Sequence, residues 1–288
     1  MVYRASRLIA AALAINFALP SGYAAEDVTI ADIIAKCRIK ADAADFRSRL
    51  DFTIRDTAGK VVKDRHAVYF WKDYDGANDL WSKSILFVVG PPEFKDIGYL
   101  RFEYRADSGR DAEQWLYLPN QQRVIRLSER DPRDQTWGVV GDDLAVLQWN
   151  EGAQRLLGTE QDTRGTVYRV EIIPKSIKLP YVKVNSSFLR EGDGWDRCTR
   201  QRSEFIDGND NIVKVVTEDW ARQNNIWYRQ RAKIESMSLH TTTEYAFHDM
   251  EFNIGLTDDD FTKRMLPNPE RVNRVKQQDS PGNPADSR

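Results

Sequence analysis

The chain has 288 residues, of which 41% are hydrophobic and 30% are charged, and its formal net charge is −2. This composition supplies enough apolar residues for a packed core. The balanced charge argues against nucleic acid as a partner, since nucleic-acid binding needs a strongly basic face. Fold and function must therefore be inferred from individual segments of the chain.

Residues 1–24 have the layout of a cleaved secretory signal peptide. Arg4 and Arg7 give the segment a positive start, and an uncharged, mostly apolar run, Leu8–Leu19, follows before Pro20. The run is too short for a transmembrane helix, which needs about 20 apolar residues. No cysteine follows the expected cleavage region, so no N-terminal lipid is predicted. We expect the mature protein to be exported to the periplasm, soluble and without stable insertion in a membrane.

One amphipathic helix is predicted at the start of the mature chain, over Thr29–Ala44. Thr29 can cap this helix, and Asp32 stands at the capping-box position. Apolar residues then recur at helical spacing, namely Ile30, Ile33, Ile34, Cys37 and Ala41.

Few residues of the chain suggest metal or redox chemistry. A buried free thiol on the apolar face of the helix is one interpretation of Cys37. A disulfide with the distant Cys198 is the other, since an oxidising compartment permits it, and the sequence alone leaves both open. The three histidines, His66, His240 and His248, are scattered without the spacing of a zinc site, so no metal or cofactor is expected.

The chain after the helix is predicted to be mainly β. Twelve segments have strand character: Arg49–Arg55, Ala67–Trp71, Lys83–Val89, Tyr99–Arg105, Gln114–Leu118, Arg123–Leu127, Val167–Ile173, Tyr181–Arg190, Asp196–Phe205, Ile212–Trp220, Ile226–Met237 and Thr242–Asn253. Turn signals separate many of them. This pattern predicts a single domain over residues 25–267, built on a strongly curved antiparallel sheet that forms an incomplete β-barrel. Residues 268–288 are rich in polar residues and proline, which predicts a disordered tail.

A long insertion, Ser128–Gln161, interrupts the strands. It contains a second helical candidate, Asp142–Trp149, and Gly152 just beyond it could end that helix. Long insertions between strands are often functional, so this one is expected to act as a lid or a binding loop.

The segment Glu113–Leu127 predicts a hairpin with aromatic residues on one arm and arginines on the other. Trp115 and Tyr117 alternate with leucines, which is the period of a strand. Pro119 cannot donate to a sheet and opens a turn, after which alternation resumes. No Ser, His, Cys or metal-ligand cluster accompanies the hairpin, so it indicates a binding surface rather than a catalytic site.

The hairpin resembles a motif of the bacterial outer-membrane lipoprotein-sorting proteins, relatives of the LolA and LolB lipoprotein carriers. Their phrase, roughly "lwlYlP…rvrRi", is matched by Trp115–Pro119 followed by Arg123–Leu127. Near the C-terminus, Phe252–Leu256 and Asp260–Leu266 are similar to the family's closing pattern. The resemblance covers about Asp27–Leu266.

The resemblance implies both a fold and a function. The implied fold is LolA-like, a half-barrel with an N-terminal helix and a lid helix. The implied function is that of a periplasmic carrier, which holds a lipid or the acyl chains of a lipoprotein in a hydrophobic cavity and moves it between envelope membranes. An inner-membrane transporter of the RND/MMPL or ABC type is the implied partner. One departure concerns the lid, because Gly141–Trp149 lacks the aromatic-acid part of the family's "GSDFsyeDl"-like stretch.

The alternation of the strands suggests which residues would line the cavity. The predicted wall consists of Leu100, Phe102, Tyr104, Tyr168, Val170 and Ile172, and the predicted mouth of Trp115, Tyr117 and Arg126. A sheet with one or two helices has too little helix mass to cover its apolar face, so an acyl chain could cover part of it. The alternative for each apolar residue is ordinary core, and the alternative for Arg126 is an ion pair with an acid such as Glu113.

Two other functions remain open at this stage. An enzyme would need catalytic acids, and Asp142-Asp143 or Asp258-Asp259-Asp260 could be considered. No nucleophile, base or oxyanion signature accompanies them, so no enzymatic activity is expected. A non-carrier binding or sensor module of the envelope, accessory to an inner-membrane transporter, would use the same fold with a filled core.

Overall fold

The computed structural model of the protein describes residues 28–127, 152–175 and 181–272. Within these ranges the chain forms one antiparallel sheet of 13 strands and one α-helix. The predicted fold class, mainly β with an antiparallel sheet that does not close into a complete barrel, is confirmed. The predicted signal peptide, the helix candidate Asp142–Trp149 and most of the predicted tail lie outside the described residues.

The strands form two meanders that meet in the middle of the sheet. Their bounds are β1 Asp45–Asp56, β2 Val61–Asp73, β3 Leu80–Gly90, β4 Gly98–Tyr104, β5 Glu113–Leu118, β6 Arg123–Leu127, β7 Gly152–Asp162, β8 Gly165–Pro174, β9 Lys183–Glu191, β10 Cys198–Ile206, β11 Ile212–Gln223, β12 Ile226–Ser236 and β13 Thr241–Phe252. The order across the sheet is β6-β5-β4-β3-β2-β1-β13-β12-β11-β10-β9-β8-β7. The first and last long strands therefore pair at the centre, and β6 and β7 are the two edges.

The structure adds one strand that the sequence pattern does not predict. Strand β7 occupies the end of the predicted insertion Ser128–Gln161, so the interruption between strands is shorter than expected. Most of its side chains are exposed, and an edge strand of this kind shows no apolar alternation. Gly152 begins this strand instead of ending a helix. A Cβ at Gly152 would lie 1.7 Å from the carbonyl oxygen of Ile173, so only glycine fits.

The helix α1, Ile30–Lys36, is shorter than the predicted Thr29–Ala44. Thr29 caps it with the predicted capping box. The helix ends because Cys37 adopts extended backbone and forms a disulfide with Cys198, so the interpretation of Cys37 as a free thiol is wrong. The chain then crosses one end of the sheet as an extended segment up to Ala44.

The crossing segment demonstrates that the sheet curls. Arg38 bridges to Thr199 in β10, whereas Lys40, two residues on, forms an ion pair of 2.7 Å with Asp73 at the end of β2. Five strand spacings separate β10 from β2, which would amount to about 24 Å in a flat sheet. Because so short a segment reaches both strands, the sheet must curve around it.

Buried side chains occupy both faces of the sheet. A central cluster, which includes Tyr69, Tyr99 and Ile234, and a helix-side cluster, which includes Tyr168 and Phe188, lie on one face. Register relates them, since Ser186 pairs with Ser203, Ser203 with Val216 and Val216 with Ile234. We call this the inner face, because α1 and the crossing segment pack on it.

The opposite, outer face of β2–β6 is covered by the C-terminal segment. Leu256, Phe261, Leu266 and Val272 are buried there against strand residues that include Phe70 and Leu100. The packed chain thus continues to Val272, five residues beyond the predicted end of the domain.

Candidate functional site

The six residues predicted to form one apolar wall lie on opposite faces of the sheet. Tyr168, Val170 and Ile172 stand on the inner face in the helix-side cluster. Leu100 and Phe102 stand on the outer face, beneath the C-terminal segment. Strand β4 is buried on both faces, so alternation separates its two sides without identifying the inner one.

Arg101 in β4 shows why alternation alone does not identify the inner side of this strand. Arg101 pairs across the sheet with Ser84 and Gln114, on the inner face, and is only 7% exposed. A charged side chain in an alternating strand normally marks the solvent side, whereas here the charge is inside. Tyr104 lies on the same side of β4 as Leu100, and the Arg110 guanidinium lies 3.6 Å from its ring centre.

The predicted hairpin forms with the expected turn, but its aromatic residues point to the outer face. The Trp115 ring packs edge-on against Phe102, with 5.0 Å between ring centres, and Tyr117 packs against the same outer cluster. The guanidinium of Arg126 lies 3.6 Å from the Glu113 carboxylate, which is the ion pair considered from the sequence. Packing contacts thus account for these residues, and a ligand-binding role for them stays a prediction.

The inner face carries an apolar surface that runs from the hairpin to α1. Its central cluster holds several aromatic pairs, among them Phe46 stacked on Trp71 at 5.3 Å and Tyr69 against Phe247 at 5.5 Å. Val216 packs against both the central and the helix-side cluster, so the two are continuous. The inner face is therefore the part of the described chain best suited to hold an apolar ligand.

A buried charge cluster lies beside this apolar surface on the inner face. The Glu218 carboxylate accepts hydrogen bonds of 2.9 Å from the guanidiniums of Arg200 and Arg229, which lie on the two neighbouring strands. The three side chains are 1%, 4% and 10% exposed, respectively. Burial alone would raise the pKa of Glu218, but the two guanidiniums outweigh burial and hold that pKa below its usual range. The sequence offers no local signal for this cluster, because its members lie 18 and 11 positions apart on three successive strands and meet only when these strands pair.

Further polar groups follow the inner face toward the hairpin. Burial raises the pKa of the Tyr69 hydroxyl to about 12. The Tyr99 hydroxyl donates a hydrogen bond of 2.5 Å to Oε1 of the fully buried Gln114. Among the described residues, Nε2 of Gln114 finds no hydrogen-bond partner. Buried amide groups are normally satisfied, so this donor marks a place where a polar group of a ligand or a water could bind.

The acidic run and the histidines have structural contacts. Thr257 and Asp260 form a capping box for a short 3₁₀ helix, and Asp258 pairs with Lys83 at 3.2 Å. His66 and His248, which are scattered in the sequence, lie close together in the structure. Both contact the Asp51 carboxylate, at 2.8 and 3.1 Å, respectively. In the part of the chain that the structure describes, no group of three His, Cys, Asp or Glu side chains could hold a metal ion.

Across residues 28–127, 152–175 and 181–272, no helix combines the length and apolar character needed to cross a bilayer.

Comparison with known proteins gives matches in fold. A family model of uncharacterized proteins matches residues 81–268. A search of curated proteins gives no significant match.

Three solved structures are similar to this chain. A DUF1329 family protein from Desulfovibrio piger has a TM-score of 0.62 at 20% identity, covering 78% of this chain and 92% of that protein. An outer membrane lipoprotein-sorting protein domain from Vibrio parahaemolyticus has a TM-score of 0.64 at 19% identity, with the same coverage. A LolA superfamily protein from Nitrosomonas europaea has a TM-score of 0.58 at 16% identity, covering 82% and 99%. The resemblance inferred from the two sequence motifs is confirmed by these folds.

Proposed function

Because the chain belongs to a family of uncharacterized proteins and has the LolA-like fold, we propose that it is a non-enzymatic carrier of the periplasm. It would bind a lipid, or the acyl chains of a lipoprotein, on the inner face and move this cargo between envelope membranes. The observation that carries the proposal is the continuous apolar surface of that face, on a sheet whose edges β6 and β7 do not pair with each other.

Two further features support a carrier in this compartment. Each methylene group of an acyl chain that leaves water for such a surface contributes about 0.8 kcal/mol. The disulfide between Cys37 and Cys198 suits an oxidising compartment, as does the signal-peptide layout of residues 1–24. Gln114 would hydrogen-bond the polar end of the cargo. As the family resemblance implies, an inner-membrane transporter of the RND/MMPL or ABC type would load the carrier with its cargo.

One observation favours a second candidate, an envelope sensor or binding module that carries no lipid. The aromatic residues of the central cluster pack closely on one another, as they would in a filled core. In that case the inner face would be structural, and partners would bind elsewhere.

Neighbouring residues of β2 offer a matched test. Ala67 is fully buried on the inner face, and Val68 is partly buried on the outer face. In a carrier, Ala67→Phe fills ligand space and should weaken binding of a fluorescent fatty-acid probe about tenfold, while Val68→Phe leaves binding unchanged. In a filled core, Ala67→Phe costs about 1–3 kcal/mol of stability by overpacking. Wild-type protein without probe binding would then favour the sensor module.

A further inference from the structure

Exposed apolar side chains gather at one end of the sheet. Six of them, Val62, Val89, Val182, Ile212, Met237 and Leu239, are each between 40% and 51% exposed, and together they form what we call the apolar rim. Isolated exposed apolar residues are ordinary, whereas a row of them along one edge of a molecule marks an interaction site.

The topology places these residues at the same end. Strands β2, β9 and β11 begin there, and β3 and β12 end there, because neighbouring strands are antiparallel. Two backbone hydrogen bonds tie the loops together, from Met237 to Val213 at 2.9 Å and from Val182 to Ile206 at 2.8 Å. From β3 to β9 the rim spans seven strand spacings, an arc of about 34 Å.

The rim continues into the inner face. Tyr181, which directly precedes Val182, packs against the helix-side cluster, with 4.9 Å between its ring centre and that of Phe205. The opposite end of the sheet is crossed instead by the segment that follows α1, whose Asp42 amide bonds the carbonyl of Trp227. An acyl chain would therefore find an apolar path at the rim end.

Charge also differs between the two ends. Exposed lysines lie next to the rim, at Lys60 in the β1–β2 turn, at Lys95 in the β3–β4 loop and at Lys175 after β8. Aspartates crowd the crossed end, among them Asp75 and Asp196. Acids such as Glu93, Asp96 and Asp210 also lie at the rim end, so the difference between the ends is one of degree. An anionic surface would repel the crossed end more strongly than the rim, and lysines beside apolar side chains are typical of proteins that lie on anionic bilayers.

We infer that the apolar rim docks on the surface of an anionic lipid bilayer, with the inner face opening toward the membrane. Valine and leucine side chains enter the headgroup region, and the lysines pair with lipid phosphates. This inference rests on the proposed carrier function, because docking in this orientation lets an acyl chain pass between the membrane and the inner face with little exposure to water.

Vesicle flotation tests the inference, with vesicles of phosphatidylethanolamine and phosphatidylglycerol at a ratio of about 3:1. Val62→Asp and Leu239→Asp should each lower vesicle binding about tenfold, since a carboxylate replaces an apolar side chain. Leu157→Asp is the matched control, because Leu157 is 44% exposed but lies in the middle of β7, away from the rim. Binding of the fatty-acid probe in lipid-free solution should be unchanged in all three variants.

Several results would overturn docking on lipid. Failure of the wild-type protein to float with these vesicles would overturn it. An equal loss of vesicle binding in the Leu157→Asp control would also overturn it. A concentration-dependent dimer that Leu239→Asp abolishes would assign the rim to a second copy of the chain. Binding only to protease-sensitive native membranes would assign it to a protein partner. Loss of probe binding in the wild type with normal flotation would instead contradict the carrier function and leave the docking surface standing.

Discussion

At the scale of single residues, the buried Glu218 carboxylate holds two guanidiniums in place on the inner face. Glu218→Gln keeps the size of the side chain but removes the negative charge that faces the Arg200 and Arg229 guanidiniums, so unfolding in urea should show a loss of about 3–5 kcal/mol. Glu204→Gln is the control, because the Glu204–Arg202 pair is partly exposed and its loss should cost less than about 1 kcal/mol. An equal loss of unfolding free energy in both variants would show that the buried cluster contributes no more to stability than the partly exposed pair.

The same carboxylate predicts how stability depends on pH. Its folded pKa is lowered from the ordinary value of 4.5, so the unfolded chain binds this proton more readily than the folded protein. The stability that Glu218 contributes is present above pH 4.5 and is lost as the pH falls below that value toward the folded pKa. Melting temperatures measured from pH 7 down to 3 should fall less steeply in Glu218→Gln than in the wild type. Parallel curves would contradict the assignment.

The residues of β4 mark the limit of prediction at this scale. The alternation of apolar and charged residues correctly places Leu100 and Phe102 on one side of β4 and Arg101 on the other. The side that carries Arg101, however, belongs to the inner face. Both faces of this strand are covered, one by the C-terminal segment and one by the curl of the sheet. Which face is inner depends on contacts with residues more than a hundred positions away, and a local pattern does not contain that information.

At the scale of elements, the Cys37–Cys198 disulfide fixes the end of α1 to β10. The two cysteines are separated by 161 positions, so their bond restricts the unfolded chain strongly. Cys37→Ser with Cys198→Ser should lower stability by about 2–5 kcal/mol in thermal unfolding. Dithiothreitol should reproduce the loss in the wild type and have no effect on the double variant. A wild-type melting temperature that is unchanged by reduction would contradict this role.

Elements were predictable where the local signal was strong. The hairpin at Pro119 and most strand cores follow from alternation and turn residues, and the Thr29 cap follows from its capping box. The predicted helix is longer than α1 because its apolar spacing continues to Ala41, whereas the disulfide and the bridge of Arg38 to Thr199 impose extended backbone. Strand β7 escaped prediction because an exposed edge strand needs no apolar face.

At the scale of the whole molecule, the sequence predicts an antiparallel half-barrel but not the strand order. The pairing of β1 with β13 joins the two ends of the domain, and such long-range pairing leaves no mark in local sequence. Two results of that order matter for function: an inner face with one continuous apolar surface, and an end of the sheet where apolar residues and lysines lie together.

The central claim is that the inner face binds an acyl chain. Native mass spectrometry of the protein, purified from its own envelope without detergent, tests this most directly. We expect a bound mass that matches a lipid, that organic extraction releases, and that is much reduced in Ala67→Phe but retained in Val68→Phe. A wild-type protein that carries no lipid, and takes up none after incubation with vesicles, would contradict the account.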